Sequence, residues 1–156
     1  MGQEIERKFL VNGEGWRDEP GEERRIVQGY IAIGDMAQVR VRIIDGTSAL
    51  LTVKDRGTGV ERQEYEYAIP ADDARAMLKL RTGNLIEKTR KKIWRGDLVW
   101  EVDCFSGGLA GLVLAEVELK GADDQMPLPD WVGREVTGDP KYYNVTLALS
   151  DLSDRP

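Results

Sequence analysis

Charged and apolar residues alternate along several short stretches of this chain. Arg40 and Arg42 alternate with Val39 and Val41, and the same spacing recurs further along. Residues two apart in a β-strand lie on the same face of the sheet. Each stretch is therefore predicted to be a strand with one charged face and one apolar face. The other stretches of this kind contain Glu4 and Glu6, Glu64 and Glu66, Glu101 and Asp103, and Glu116 and Glu118.

This alternation, together with the turn signals between the stretches, predicts about eight strands. The dipeptide Asp45-Gly46 is a strong hairpin signal between two of them. Segment 12–21, with a turn around Trp16, and the proline-containing segment ending at Trp131 are predicted loops. The predicted strands cover residues 5–11, 25–33, 37–44, 48–54, 61–69, 86–94, 98–105 and 113–120.

Two helices are predicted on the spacing of their apolar residues. The first begins after Pro70 and is stopped by Gly83, and the second begins at Asp139-Pro140. Two helices are too few to cover both faces of so large a sheet, whereas a barrel removes its own edges. The prediction is a mainly β (α+β) fold, a closed eight-stranded antiparallel barrel with a few flanking helices. It forms a single domain over residues 1–156.

The composition limits the chemistry of such a barrel. A net charge of -6 and a pI of about 4.8 argue against binding nucleic acid. No apolar run approaches the ~20 residues that span a bilayer, and no signal-peptide pattern is present, so no membrane partner is expected. Cys104 is the only cysteine, which fits a cytoplasmic protein, and it is expected to be a small core residue. The chain has no histidine, so a metal site would use oxygen ligands and favour Mg²⁺ or Mn²⁺.

If the charged faces of the strands point inward, the barrel encloses both signs of charge. Leaving these groups unpaired would cost several kcal/mol per ion. A polyphosphate with divalent metals would neutralise both sets, and the planar fork of arginine suits phosphate. The carboxylates are Glu4, Glu6, Glu64, Glu66, Glu101, Asp103, Glu116 and Glu118, and the cations are Lys8, Arg40, Arg42, Lys54, Lys88 and Arg90.

These stretches, in this order, resemble the motifs of the CYTH superfamily, the triphosphate tunnel metalloenzymes. The resemblance covers residues 4 to about 149 and is greatest to small bacterial stand-alone inorganic triphosphatases. The residues that carry it are Glu4-Ile5-Glu6-Arg7-Lys8, Arg40-Val41-Arg42, Thr52-Val53-Lys54, Glu64-Tyr65-Glu66, Lys88-Thr89-Arg90, Glu101-Val102-Asp103, Glu116-Val117-Glu118 and Tyr142-Tyr143-Asn144.

The resemblance implies metal-dependent hydrolysis of a triphosphate inside a tunnel, with Mg²⁺ or Mn²⁺ as cofactor. It implies that Glu4, Glu6, Glu116 and Glu118 are metal ligands with Asp103 assisting, and that Glu64, Glu66 and Glu101 are supporting carboxylates. It also implies that Lys8, Arg40, Arg42, Lys54, Lys88 and Arg90 hold the phosphates.

Without histidine, the base of such a reaction would be a lysine, a glutamate, a tyrosine or a metal-activated water. The resemblance suggests Lys8, paired with Tyr30, as the catalytic residues. Lys8 as a simple phosphate ligand, and Tyr30 as a core or hydrogen-bonding residue, are the alternatives.

Three functions compete at this point. The first is an inorganic triphosphatase. The second is another enzyme of the superfamily, a nucleoside or thiamine triphosphatase or a class IV adenylyl cyclase. The third is a non-catalytic module that binds polyphosphate or a nucleotide.

No aromatic residue is expected among the charged positions, which favours tripolyphosphate over ATP, although Trp16 and Trp131 could cap a tunnel mouth. The oligomeric state is left open.

Overall fold

The computed structural model describes residues 5–55, 63–119 and 126–150. In these ranges the chain forms nine strands and two α-helices, with short 3-10 turns at Gly15–Asp18, Gly107–Leu109 and Pro140–Tyr142. The strands are β1 Ile5–Val11, β2 Glu22–Ile33, β3 Ala37–Ile44, β4 Ser48–Asp55, β5 Glu64–Ile69, β6 Thr82–Arg95, β7 Leu98–Ser106, β8 Val113–Leu119 and β9 Val132–Glu135, and the helices are α1 Ala71–Leu78 and α2 Asn144–Leu149.

The nine strands form one antiparallel sheet in the order β5-β4-β3-β2-β6-β7-β8-β1-β9. The first strand of the chain pairs with the eighth, so that Lys8 lies opposite Glu116 and Glu6 opposite Glu118. One cavity is lined by residues from every strand from β1 to β8, which shows that the sheet curves around it. The predictions of a mainly β, antiparallel fold with flanking helices are confirmed.

Two details of the predicted barrel differ in the structure. The sheet has nine strands rather than eight, and within the described ranges no ladder joins β5 to β9, so closure is not seen. The missed strand, β9, is four residues long and lies against β1, with Val11 opposite Val132. A Cβ on Gly133 would come within 3.0 Å of the Leu10 carbonyl oxygen, so this short strand depends on a glycine for its close approach.

The helices are shorter than the sequence pattern predicts. Helix α1 ends at Leu78, and Gly83 lies inside β6 with a positive φ of 77°. A Cβ on Gly83 would come 2.5 Å from the carbonyl oxygen of Ala148, so this glycine lets α2 approach the sheet. Leu152, which was expected to continue the last helix, lies outside the described residues. No helix in the described part of the chain is long and apolar enough to cross a membrane.

Two apolar clusters cover the outer face of the sheet. One lies beneath α1, where Ala74 and Leu78 pack on Val41, Ile43 and Ala49. The other covers β1, β6, β7 and β8 and includes all the tryptophans except Trp94. In it, the rings of Trp100 and Trp131 meet edge to face with centroids 5.5 Å apart. Trp16 and Trp131, which could have capped a tunnel mouth, are instead both buried in this cluster.

A third cluster occupies one end of the inner face. Ile86, Phe105 and Leu114 lie on the same strand faces as the charged residues, and Leu147 and Ala148 of α2 pack against them. The charged part of the inner face is thus bounded at one end by an apolar plug. Cys104 is half-buried and packs at the border of the tryptophan cluster, on the opposite face from Asp103.

Candidate active site

The inner face of the curved sheet surrounds a cavity of about 560 Å³. Most of the predicted site residues line it, and both signs of charge are present. The charged residues that line the cavity are Glu6, Lys8, Arg40, Arg42, Lys54, Glu64, Arg90, Glu101 and Glu116.

The charges are sorted by their position in the sheet. Strands β4, β3 and β6 contribute Lys54, Arg40, Arg42 and Arg90, so this part of the wall is mainly cationic, and Glu64 of the edge strand β5 lies opposite Lys54. The next strands, β7, β8 and β1, contribute the carboxylates Glu101, Glu116 and Glu6. The cavity therefore has a cationic half and a carboxylate half, with Lys8 as an ammonium group within the carboxylate half.

Lys88 and Asp103 lie beneath the cavity lining instead of on it. The Lys88 ammonium is fully buried and donates a hydrogen bond of 2.8 Å to Asp103 Oδ2. Arg90 donates from Nε and Nη2 to the two carboxylate oxygens of Asp103, at 2.8 and 3.0 Å. Asp103 is thus engaged by two cations, and its part as an assisting metal ligand stays a prediction.

The pKa shifts of Asp103 and Lys88 agree with a buried ion pair. Burial alone would raise the pKa of Asp103, but Lys88 and Arg90 hold that pKa well below its usual range. Burial lowers the pKa of Lys88 to about 8, although the Asp103 carboxylate opposes the shift. The buried pair is a supporting layer for Arg90, which continues into the cavity.

Two other predicted carboxylates, Glu66 and Glu118, are not among the residues that line the cavity. Glu66 is exposed on β5, with Thr52 Oγ1 donating to it at 3.3 Å. Glu118 is exposed on β8 opposite Glu6. Glu4, the first predicted metal ligand, lies outside the described residues.

The carboxylate half has the donor chemistry of a site for a hard divalent cation. Desolvation and the neighbouring Glu116 both raise the pKa of Glu6, which records repulsion between carboxylates. A bound cation would relieve that repulsion, and oxygen ligands suit Mg²⁺ or Mn²⁺. Across the described ranges, however, no three carboxylates already converge as a metal cluster. Of the predicted metal ligands in the described ranges, Glu6 and Glu116 line the cavity.

Lys8 is tied to both the carboxylate half and the C-terminal segment. Its ammonium lies 3.1 Å from Glu116 Oε1 and donates to the carbonyl oxygen of Tyr142 at 3.0 Å. Its backbone N–H donates to Thr137 Oγ1 at 2.9 Å. These contacts fix the position of the Lys8 ammonium at the edge of the cavity.

Tyr30 lines the cavity but belongs to the apolar plug. Only 4% of its surface is exposed, and its hydroxyl is close enough to Arg40 to interact with it electrostatically. Burial raises the pKa of Tyr30, with Arg40 opposing the shift. A tyrosine with a raised pKa is a poor base near neutral pH, and its contact with Arg40 favours a hydrogen-bonding role.

Comparison with known proteins identifies the family. The family model described as "CYTH domain" matches residues 2–143, which is most of the chain. The chain belongs to the CYTH family. The CYTH assignment agrees with the curved antiparallel sheet and with the order of the charged strands.

Individual CYTH relatives are similar over nearly their whole length. An inorganic triphosphatase of Acetivibrio thermocellus is 45% identical over 149 residues, which cover 94% of each chain. An inorganic triphosphatase of Nitrosomonas europaea is 39% identical, covering 94% of this chain and 97% of that protein. The crystal structure of the inorganic triphosphatase NE1496 superposes with a TM-score of 0.77 at 35% identity and covers 97% of both chains.

One wall of the CYTH cavity was not predicted from the sequence. Residues Val136, Thr137 and Gly138, and then Tyr143, Asn144 and Val145, line it with neutral groups. The Tyr142-Tyr143-Asn144 motif was the only signal for this wall. It also contains Tyr143, which is 43% exposed and, with the buried Tyr30, brings an aromatic ring to the cavity from outside the charged positions of the strands.

Proposed function

We propose that this CYTH protein hydrolyses inorganic triphosphate in the charged cavity, with Mg²⁺ or Mn²⁺ as the cofactor. The observation that carries the proposal is the division of the cavity into a cationic and a carboxylate half. The two relatives named inorganic triphosphatase, at 45% and 39% identity, support the choice of substrate. A cytoplasmic location fits the single cysteine.

In this proposal the triphosphate lies against the cationic half. Arg40, Arg42, Lys54 and Arg90 bind its oxygens, and Lys88 supports Arg90 from below through Asp103. Phosphoryl transfer depends on positioning and on neutralising charge more than on covalent chemistry, which suits a wall of fixed guanidinium groups. Tyr30 lies beside Arg40 at this wall and supports it.

The carboxylate half would hold the metal through Glu6 and Glu116, joined by Glu118 of β8 and by Glu4. When bound, the metal supplies charge neutralisation and activates the attacking water. Glu64, Glu66 and Glu101 act as supporting carboxylates that balance the cations. As the base of the reaction, Lys8 in its neutral amine form would accept the proton that the attacking water loses.

We further propose that the open side of the sheet narrows around bound triphosphate, which would complete the tunnel expected from the sequence. The arrangement argues against a non-catalytic binding module, because capture of an anion needs only the cationic half. A nucleoside or thiamine triphosphatase, or a class IV adenylyl cyclase, is the second candidate. Its support is Tyr143, whose ring lines the cavity and could stack on an aromatic group of a substrate.

Removal of the metal tests the proposed function. Phosphate release from tripolyphosphate should fall to background in EDTA and return when Mg²⁺ or Mn²⁺ is added in excess. Glu116→Gln should lose most of the activity while the protein stays folded, since it removes one carboxylate from a repelling group. Full activity in metal-free buffer would contradict the proposal, and Ca²⁺ serves as a control divalent ion of different size.

A further inference from the structure

Two arginines of the cavity are held by partners of different charge. Arg90 is held by a carboxylate, since Asp103 accepts from both its Nε and Nη2, and its Nη1 lies 3.1 Å from Glu101. Arg42 is held by a neutral amide, since its Nε donates to Gln28 Oε1 at 2.8 Å. Both arginines reach the cavity.

The difference decides how much charge each arginine offers to a ligand. The charge of Arg90 is largely balanced by Asp103 and Glu101, whereas the amide of Gln28 orients Arg42 and leaves its charge intact. Burial, Arg40 and Arg90 lower the pKa of Arg42 to about 10, so it is still protonated at neutral pH. The bond to Gln28 uses one of the five N–H donors of the guanidinium, and among the described residues no hydrogen bond from the Nη atoms is seen.

Gln28 itself is an unusual residue for its position. It is fully buried in β2, between Arg42 of β3 and Ile86 of β6 in the sheet register. Its Nε2 has no hydrogen-bond partner among the described residues. A buried amide donor without a partner lowers stability, so an apolar side chain of similar size would serve the fold as well or better. Packing therefore does not account for the amide, whereas the bond to Arg42 does.

We propose that Gln28 is a positioning residue, which fixes the guanidinium of Arg42 toward the triphosphate without neutralising it. This inference rests on the proposed function for the identity of the ligand. The orientation of Arg42 by Gln28 is independent of that function and can be measured in the protein alone.

Two substitutions at Gln28 separate orientation from charge. Gln28→Met keeps the volume of the side chain but removes the hydrogen-bond acceptor. The guanidinium group of Arg42 should then become mobile. Gln28→Glu keeps an acceptor but adds a charge that neutralises Arg42. For both variants we expect a rise of about tenfold in KM for tripolyphosphate. Gln28→Met should at the same time unfold at the same temperature as the wild type or at a higher one.

The matched control is Gln38→Glu, which adds the same charge to the same cavity wall. Gln38 lies on β3 four residues from Arg42, or about 13 Å along the strand. We expect its KM to rise less than threefold. Equal effects of Gln28→Glu and Gln38→Glu would show that only the total charge matters, and would overturn the proposal.

Arginine Nε–H resonances in ¹⁵N NMR spectra provide a readout that does not depend on substrate. The Arg42 signal, assigned from its loss in Arg42→Lys, should be ordered in the wild type and Gln28→Glu and mobile in Gln28→Met. An unchanged signal in Gln28→Met would overturn the orientation by Gln28. If the wild type neither binds nor hydrolyses tripolyphosphate, the proposed function fails, and the NMR comparison still decides whether Gln28 positions Arg42.

Discussion

Asp103 is the most heavily engaged carboxylate of the site, with three hydrogen bonds from two cations. Removing one partner of a buried ion pair is far more destabilising than its net contribution suggests, because the remaining charge stays buried without compensation. The fully buried Lys88 would be left in that state.

Asp103→Asn should therefore lower the free energy of unfolding by about 3–5 kcal/mol. The measurement is urea unfolding followed by tryptophan fluorescence. Glu101→Gln is the matched control, since Glu101 pairs with the same Arg90 but is more exposed, and its loss should be about 1 kcal/mol or less. Similar losses in the two variants would mean that Asp103 does not hold Lys88 and Arg90 as described.

Lys8 offers a test of how the reaction begins. If Lys8 accepts the proton of the attacking water, Lys8→Met should lower kcat at least a hundredfold and remove the rise of activity with pH, with a smaller effect on KM. Lys8→Arg should keep the charge beside Glu116 and still lack the base. A main effect on KM, with the pH profile unchanged in shape, would show that Lys8 serves as a phosphate ligand.

At the scale of residues, the sequence predicted which side chains share the inner face but not which of them reach the cavity. Strand periodicity gives only the face, so Lys88 and Lys54 were equivalent in the sequence. In the structure Lys88 is fully buried beneath the cavity lining, whereas Lys54 is exposed and lines the cavity. The depth of a residue depends on its distance from the apolar plug, which the local pattern does not contain.

At the scale of elements, β1 carries Glu6 and Lys8 and is held between β8 and β9. Arg7, on its outer face, bonds Glu135 of β9 through two hydrogen bonds, one of them 2.9 Å long from Nε. The bonds from Arg7 and Thr137 lower the pKa of Glu135 to about 2. Because the folded pKa is below the ordinary value of 4.5, this pair stabilises the fold above that pH and loses its effect as the pH falls toward about 2.

Glu135→Gln should thus reduce stability near neutral pH, and the effect should shrink as the pH falls through about 2 and disappear below it. Both partners are partly exposed, so water screens the pair and the difference should be about 1 kcal/mol or less. Unfolding free energies of the wild type and the variant across this pH range provide the measurement. The double variant Arg7→Met with Glu135→Gln should show the same pH dependence as the single Glu135→Gln variant, and a difference that persists in acid would contradict the assignment.

The elements predicted best were those with long, regular alternation. The limits of β3, Ala37–Ile44, match the prediction, and the hairpin at Asp45-Gly46 is confirmed by positive φ values of 52° and 73°. Strand β9 could not be found in this way, because its four residues gain their order from β1 and not from a pattern of their own. The end of α1 at Leu78 is likewise set by the start of β6.

At the scale of the whole molecule, the cavity has one charged wall and one neutral wall. The neutral wall includes Tyr143, whose hydroxyl is hydrogen-bonded to the Gly138 carbonyl oxygen at 3.3 Å. That contact holds the polar end of the ring against the protein. The nine charged lining residues outweigh the rings of Tyr143 and the buried Tyr30, so a purely ionic substrate should be preferred.

Tripolyphosphate should therefore be preferred over ATP by at least tenfold in kcat/KM, a difference of about 1.4 kcal/mol. Initial rates on tripolyphosphate, ATP and thiamine triphosphate under one metal condition provide the comparison, with cyclic AMP measured as a second product of ATP. Tyr143→Leu should leave the tripolyphosphate rate within about twofold and reduce any turnover of ATP. Equal or faster turnover of ATP would favour the nucleotide alternative, and cyclic AMP as the main product would favour the cyclase.

The pairing of β1 with β8 also determines when the site can form. Lys8 and Glu116 are neighbours in the sheet although roughly a hundred residues separate them in the chain, and closing so long a loop is entropically costly and slow. The local hairpins from β2 to β4 and from β6 to β8 can form early, but they contain no residue of β1. During synthesis the first strand leaves the ribosome early and waits for its partner, so the ability to bind metal should be among the last properties that the folding chain acquires.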